Sequence, residues 1–184
     1  MAVENGERGQ GFVVGEEVQS RAAYGQVERR GSNGIGDDHR GSRLILYADT
    51  SNLFKLYVLE EGSGEVQVVA AAASQIASSI VAYAETRVAF ARALREGRLD
   101  QEAFEDLRRK FDAEWPGIGG IDVATHILRE SGNLGDLYPV RAFDAIHLAS
   151  AKEVRASTTE EVMFSSADRR LRDAAIAEGF ALAP

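Results

Sequence analysis

The sequence predicts an α/β fold in which an open parallel sheet of four to five strands is flanked by helices. Two observations lead to this prediction. Short apolar runs of strand length alternate along the chain with longer segments whose apolar residues recur at helical spacing. The first run, at 44–48, is apolar throughout, as expected of a strand that is covered on both faces. Strands that alternate with helices in this way form a parallel sheet between helical layers.

The first element combines a strand with the helix that follows it. The apolar run 44–48 stops at Asp49, and Leu53, Leu56 and Tyr57 then lie at helical spacing. This stretch therefore predicts a strand that presents Asp49 at its carboxyl end. Ligands bind at that end of the strands in open parallel sheets, so Asp49 is the first candidate for a functional residue.

The later elements follow from the same two patterns. Further strands are predicted at 75–80, 118–123, 161–165 and 180–182, the last of them at an edge. Further helices are predicted at 66–73, 81–96, 100–115, 124–130, 141–154 and 168–178. Gly97 and Gly179 are expected to end two of these helices. The pair Gly132 and Asn133 is expected to break the helix over 124–130.

Two of the predicted helices carry apolar stripes. In 81–96 the stripe consists of Val81, Ala84, Val88, Ala91 and Leu94. In 100–115 it consists of Phe104, Leu107, Phe111 and Trp115. A stripe with helical spacing predicts the face that packs against the core.

Residues 1–42 differ in composition from the rest of the chain. They contain half of the 18 glycines, mixed with Glu, Arg, Ser and Asn, and no sustained period. We expect an irregular or disordered N-terminal extension over 1–42, and a single folded domain over 43–184. The glycine-rich stretch 31–36 has no preceding strand, so it does not predict a phosphate loop.

Composition restricts the possible functions. The chain has no cysteine, which excludes disulfides, thiolate metal sites and cysteine nucleophiles. No apolar run reaches the roughly 18 residues of a membrane span, so we expect a soluble cytoplasmic protein. The net charge of −8 argues against nucleic-acid binding through a broad basic face, but not against an acidic metal site with a basic rim. Such a rim, or solvated helix faces, would account for Arg87, Arg92, Arg95, Arg98, Arg169, Arg170 and Arg172.

Four carboxylates are predicted to meet at the carboxyl edge of the sheet. Asp49 ends the first strand, and Asp168 follows the fourth strand after two residues. Glu85 and Asp144 each lie near the start of a helix. Right-handed crossovers bring strand ends and helix starts to the same edge. Four carboxylates there would repel one another without cations, and hard divalent ions such as Mg²⁺ or Mn²⁺ take oxygen ligands. The arrangement predicts metal-assisted phosphodiester hydrolysis.

Each candidate also has a structural interpretation. Asp49 or Ser51 can cap the first helix, and Asp168 in SSAD can cap the last. The helical neighbours of Glu85 are Val81 and Val88, which would place its charge beside an apolar stripe. Asp144 sits among apolar residues, where an unpaired carboxylate is costly. We interpret His147 as a hydrogen-bonded packing residue rather than a general base.

The chain from Leu44 onwards resembles the PIN-domain ribonucleases, and among them the VapC-type toxins of type II toxin–antitoxin pairs. The resemblance depends on four motifs in order: YADTSNLFKLY, SSIVAYAETRVAFARAL, VRAFDAIHLASA and FSSADRRLRDAAIAEGF. The metal-binding carboxylates of the family then correspond to Asp49, Glu85, Asp144 and Asp168, and Ser51 corresponds to a supporting hydroxyl. The long extension and the GNLGDLYPV connection depart from the family pattern.

The resemblance implies a Mg²⁺- or Mn²⁺-dependent endoribonuclease that uses a metal-activated water and leaves 5′-phosphate and 3′-hydroxyl ends. It also implies a homodimer that a VapB-like antitoxin inhibits by placing an arginine in the acidic site. The stripe that includes Trp115 is then either a core face or a groove for the antitoxin or the dimer.

Three alternatives stay open: a PIN nuclease of RNA maturation without an antitoxin, a non-catalytic binding module, and a haloacid-dehalogenase-type phosphatase. Ser51 stands where the phosphatase motif needs a second aspartate.

Overall fold

The computed structural model describes residues 43–184, and these residues form the predicted open parallel sheet. The strands are β1 (Leu44–Ala48), β2 (Gln75–Ser79), β3 (Gly119–Ile121), β4 (Glu161–Ser165) and β5 (Ala181–Leu182). Their order across the sheet is β3-β2-β1-β4-β5, and every neighbouring pair is parallel. The prediction of four to five parallel strands is confirmed. The extension predicted over 1–42 lies outside the described residues.

Helices connect the strands in the predicted alternation. They are α1 (Thr50–Lys55), α2 (Ser63–Ala72), α3 (Val81–Arg95), α4 (Gln101–Glu114), α5 (Thr125–Leu137), α6 (Ala142–Ser157) and α7 (Arg169–Ala177). A short 3-10 turn, Trp115–Gly117, follows α4. Gly97 and Gly179 end α3 and α7 with positive φ angles of 70° and 82°, a conformation that glycine adopts without a Cβ penalty.

The predicted break at Gly132 and Asn133 is wrong. Helix α5 continues through these residues to Leu137. Ile127 and Leu134 lie two turns apart on its buried face, and α5 packs along α6 over most of its length. A glycine in a helix interior costs only about 1 kcal/mol relative to alanine. Burial of the two large side chains outweighs that cost.

The apolar stripe predicted for α3 is also wrong. The buried residues of α3 are Ala82, Thr86, Phe90 and Ala93. Val88, from the predicted stripe, is 63% exposed. Helix α3 has alanines on several faces, so the single large Phe90 rather than the count of apolar residues sets the buried side. The stripe of α4 does face the core: Leu107 and Phe111 are buried, and Phe104 and Trp115 pack partly buried beside them.

The order of the strands creates a switch point beside β1. The chain moves from β1 to β2 and β3 on one side, whereas β4 and β5 lie on the other. Side chains of α5, α6 and α7 pack with Tyr47 and Phe164 in one core. Side chains of α1, α3 and α4 pack with Ala48 in a second core. Ligands bind at such a switch point, at the carboxyl ends of the strands.

Among residues 43–184, no helix combines the length and the apolarity that crossing a bilayer requires.

Candidate active site

Asp49 lies at the switch point, directly after β1. Its backbone N–H donates to the carbonyl of Ser165 at 2.9 Å, which extends the pairing of β1 with β4 by one residue. The Oδ1 atom accepts hydrogen bonds from the Ser51 hydroxyl at 2.6 Å and from the Asn52 amide at 3.1 Å. Asp49 is therefore the N-cap of α1, as its structural interpretation predicted. The cap uses only one of its two oxygens.

The second oxygen of Asp49 points to the loop after β4. Ser166 donates its hydroxyl to Oδ2 at 2.6 Å, and the same hydroxyl oxygen accepts from the backbone N–H of Asp168 at 3.0 Å. Asp49 is only 5% exposed. Burial raises the pKa of Asp49, and the electrostatic effect of His147 together with hydrogen bonds from Ser166 and Ser51 offsets this only in part. The ionised form of Asp49 is thus held by hydroxyl and amide donors against an unfavourable burial.

Glu85 is held by a different set of donors. Its Oε2 atom accepts from the Thr50 hydroxyl at 2.6 Å and lies 3.0 Å from Nε2 of His147. Partial burial raises the pKa of Glu85, but hydrogen bonds from His147 and Thr50 together lower it below its ordinary value. The side chain remains 29% exposed. Glu85 is therefore ionised, and a flank of α3 presents it to the same edge as Asp49.

Asp144 and Asp168 share one guanidinium group. Arg141 donates from Nε to Oδ2 of Asp144 at 2.9 Å and from Nη2 to Oδ2 of Asp168 at 3.3 Å. The other oxygen of Asp168 accepts from the backbone amides of Arg170 and Leu171, so Asp168 is also the N-cap of α7. The ion pair with Asp144 raises the pKa of Arg141, which keeps the guanidinium charged. A cation thus bridges these two carboxylates in the fold itself.

The four predicted residues reach one edge of the sheet but do not converge on a single point. Asp49 is linked to Asp168 through Ser166, and Asp144 to Asp168 through Arg141. Glu85 is linked to α1 through Thr50 and to α6 through His147. Within residues 43–184, no three Asp, Glu or His side chains lie close enough to ligate one ion directly. Mg²⁺ needs only one or two carboxylates and completes its shell with water and substrate phosphate. The donor set fits such an ion and argues against a fully protein-ligated zinc site among these residues.

Arginines surround the acidic edge on two sides. Arg169 and Arg170 line an open pocket together with Asp144 and Asp168. Arg92 and Arg98 line a second pocket next to Thr50 and Ser51, and both also pair with Glu96.

Two arginines of the predicted rim have structural partners instead. Arg87 pairs with Asp112 at 2.6 Å. Arg172 donates to the backbone carbonyls of Ser166 and Ala183. Of the seven arginines predicted for the rim, four therefore line the two pockets next to the acidic edge.

Several residues of the site were not singled out from the sequence. Thr50 donates its hydroxyl to Glu85, and Ser166 donates its hydroxyl to Asp49. Thr50 directly follows the candidate Asp49, and Ser166 belongs to the SSAD stretch that contains the candidate Asp168. Arg141 lies three residues before Asp144, a spacing at which helical side chains meet. His147 is a hydrogen-bonded packing residue, as predicted, but its partner is one of the candidate carboxylates. That pairing joins residues 62 positions apart and leaves no local signal.

Comparison with known proteins adds an independent line. A model of the PIN domain family matches residues 46–177. Ribonuclease VapC45 of Mycobacterium tuberculosis (strain CDC 1551 / Oshkosh) is 30% identical over 140 residues, which cover 76% of this chain and 95% of the relative. Ribonuclease VapC49 of strain ATCC 25618 / H37Rv has the same identity and coverage. A solved toxin–antitoxin complex from Klebsiella pneumoniae aligns with a TM-score of 0.46 and 21% identity over 66% of this chain and 84% of that one.

Proposed function

The chain belongs to the PIN-domain family, and on that premise we propose that it is a divalent-metal-dependent endoribonuclease, the VapC-like toxin of a toxin–antitoxin pair. The observation that carries the proposal is that carboxylates from four separate segments lie along the same edge of the sheet, beside its switch point. Two curated relatives that match over nearly their full length are named as ribonucleases.

We assign metal binding to Asp49, Glu85, Asp144 and Asp168, with Ser51 in support. Each carboxylate is fixed by protein donors at one oxygen or more, so little side-chain freedom is lost when a ligand arrives. Mg²⁺ or Mn²⁺, when bound, supplies Lewis-acid activation of a water molecule and neutralises charge on the phosphate. The protein residues contribute orientation: Ser51 and Ser166 hold Asp49, while Thr50 and His147 hold Glu85.

Arginines on both sides of the acidic edge support the proposal that an RNA strand passes across it. Arg169 and Arg170 lie on the side of Asp144 and Asp168, and Arg92 and Arg98 lie on the side of Thr50 and Ser51. Phosphates on either side of the scissile bond would thus meet a positive charge, although the chain as a whole carries a net charge of −8.

The negative charges of Asp144 and Asp168 support inhibition by an antitoxin that inserts an arginine into the site. Arg141 already bridges Asp144 and Asp168, so the geometry of these carboxylates accepts a guanidinium. An arginine from a partner would compete for the same oxygens. We further propose that the protein acts in the cytoplasm and as a homodimer. Light scattering of the purified, partner-free protein tests the oligomeric state.

The decisive experiment for the enzyme is cleavage of structured RNA by purified protein freed of any partner. We expect cleavage with Mg²⁺ or Mn²⁺, none after chelation, and products with 5′-phosphate and 3′-hydroxyl ends. Asp144→Asn should abolish cleavage. Asp106→Asn is the matched control, because Asp106 is an exposed aspartate of α4 that pairs with Arg109. RNA binding without cleavage would instead support a non-catalytic module, and equal cleavage by Asp144→Asn would remove that residue from the site.

The role as a toxin needs a separate test in cells. Induced expression should arrest growth, and co-expression of the product of an adjacent small reading frame should relieve the arrest. RNA cleavage in vitro together with normal growth on induction would favour a PIN nuclease of RNA maturation without an antitoxin.

A further inference from the structure

His147 is a buried imidazole that touches the acidic site without being one of its carboxylates. It is 2% exposed and lies on α6, one turn after Asp144. Its Nε2 atom lies 3.0 Å from Oε2 of Glu85, and its Nδ1 atom lies 3.2 Å from the Tyr47 hydroxyl. The ring thus connects the middle of the sheet to a candidate metal ligand.

Three polar neighbours, including the Thr50 hydroxyl at 3.2 Å from Nε2, determine which ring nitrogen of a neutral imidazole carries its hydrogen. The Glu85 carboxylate only accepts, so Nε2 must donate to it. Nδ1 then accepts, and the Tyr47 hydroxyl donates. The Tyr47 ring is itself immobile, because it is fully buried and stacked on Phe164 at 5.5 Å.

The consequence falls on the carboxylate of Glu85. Both donors, His147 and Thr50, reach the same oxygen, Oε2. Among the described residues no side chain or amide donates to the other oxygen, Oε1. A glutamate on a helix flank has three rotatable bonds, and two donors on one oxygen hold it in a single arrangement.

We propose that His147 is a positioning residue: fixed by Tyr47, it anchors Oε2 of Glu85 so that Oε1 is presented to a divalent cation. The inference rests on the proposed function, because it needs Glu85 to be a metal ligand. A histidine that only fills the core would contribute to stability and leave metal affinity unchanged. Partners of this kind behind a metal ligand typically contribute about 10- to 100-fold in metal affinity.

The test is Mn²⁺ affinity, measured by calorimetry on the full chain without RNA. His147→Leu should weaken Mn²⁺ binding about tenfold. His147→Gln, whose amide nitrogen can still donate to Glu85, should recover most of that loss. In a Glu85→Gln background, His147→Leu should have no further effect, because the anchored carboxylate is already gone. Such coupling distinguishes positioning from a general loss of structure.

Tyr47→Phe provides a second variant that removes one oxygen atom and preserves the packed ring. Without the Tyr47 donor, the neutral imidazole can place its hydrogen on Nδ1 and present a lone pair to Glu85. We expect weaker Mn²⁺ binding, and ¹⁵N spectra in which the Nε2–H form of His147 loses population. The chain has three histidines, so the His147→Gln spectrum identifies the signal. Tyr57→Phe is the control, because Tyr57 is a buried tyrosine of the other core.

The outcomes separate the inference from its premise. If wild-type protein binds no Mn²⁺, or if Glu85→Gln binds it as well as wild type does, both the metal role of Glu85 and the role of His147 fail. If Glu85→Gln loses affinity while His147→Leu and Tyr47→Phe retain it, the site survives and the positioning role of His147 is overturned. Equal weakening by Tyr57→Phe would also overturn it.

Discussion

The acidic edge has two halves that stabilise negative charge by different means. Asp49 and Glu85 receive hydrogen bonds from hydroxyls, an amide and an imidazole. Asp144 and Asp168 share the guanidinium of Arg141. The first half is therefore preorganised by donors that can stay in place when a metal binds. The second half holds a positive charge that a metal must displace or accommodate.

Asp49→Asn, in the preorganised half, belongs with Asp144→Asn among the largest expected effects. Asparagine caps helices as well as aspartate does, so α1 should remain intact. RNA cleavage should fall by at least about a hundredfold, the scale of the several kcal/mol that metal-assisted charge stabilisation contributes. The midpoint of thermal unfolding without metal should stay the same or rise, because a buried charge has been removed. Activity close to that of wild type would reduce Asp49 to a helix cap.

Asp168 tests whether the bridged half contributes ligands or only structure. Asp168→Asn keeps the N-cap of α7, whereas Asp168→Ala loses it and should cost about 1 kcal/mol in the free energy of unfolding. Both changes should weaken Mn²⁺ binding and slow cleavage to a similar degree. Denaturant titrations measure the free energy of unfolding, calorimetry measures Mn²⁺ binding, and RNA assays measure cleavage. If only the alanine variant loses activity, the residue acts through the cap alone.

Arg141→Gln should have a smaller effect of the opposite sign. Removing the guanidinium leaves Asp144 and Asp168 without their shared cation, so Mn²⁺ affinity should rise about two- to fivefold. This is the size of an exposed ion pair worth up to about 1 kcal/mol. The gain should shrink at high salt. Arg109→Gln, which removes the same charge from an ion pair on α4, serves as the control. A weaker affinity in Arg141→Gln would mean that the arginine organises the site instead of competing for it.

The smallest effects are pH-dependent and distinguish Asp49 from Glu85 within one half. Burial raises the folded pKa of Asp49, so the contribution of Asp49 to stability without metal declines as pH rises from about 4 through that pKa. Asp49→Asn should gain stability relative to wild type over the same range. The folded pKa of Glu85 is lowered, so its contribution is present at neutral pH and disappears as pH falls through that value. Glu85→Gln should therefore be less stable than wild type at neutral pH, and this difference should disappear as pH falls through the folded pKa of Glu85. Unfolding curves at several pH values measure both, and parallel curves for the two variants would contradict the assignment.

Much of the fold was predictable because strand and helix patterns in this chain are local. The strand over 161–165 and the helix start at Val81 agree with the structure residue for residue. The continuation of α5 past Gly132 was not predictable, since it depends on contacts of Leu134 with another helix. The buried face of α3 was missed because Thr86, a polar residue, belongs to it.

The candidate site was predictable to a similar extent. Its four carboxylates follow from strand ends and helix starts, which topology brings together. The donors from distant segments, namely Ser166, Thr50 and His147, do not follow, because they depend on which elements of the fold pack together. His147 is the clearest case: Tyr47, its partner in β1, lies 100 residues away in sequence.

The contact between Asp49 and Ser166 links segments separated by 117 residues. A ribosome that has made only β1 and the helices after it has produced no chain able to close that contact. Asp49 therefore reaches its Ser166 partner only after the chain through β4 has been synthesised. The acidic edge is thus complete only after β4 has emerged and paired with β1, which makes its assembly a late step in chain order.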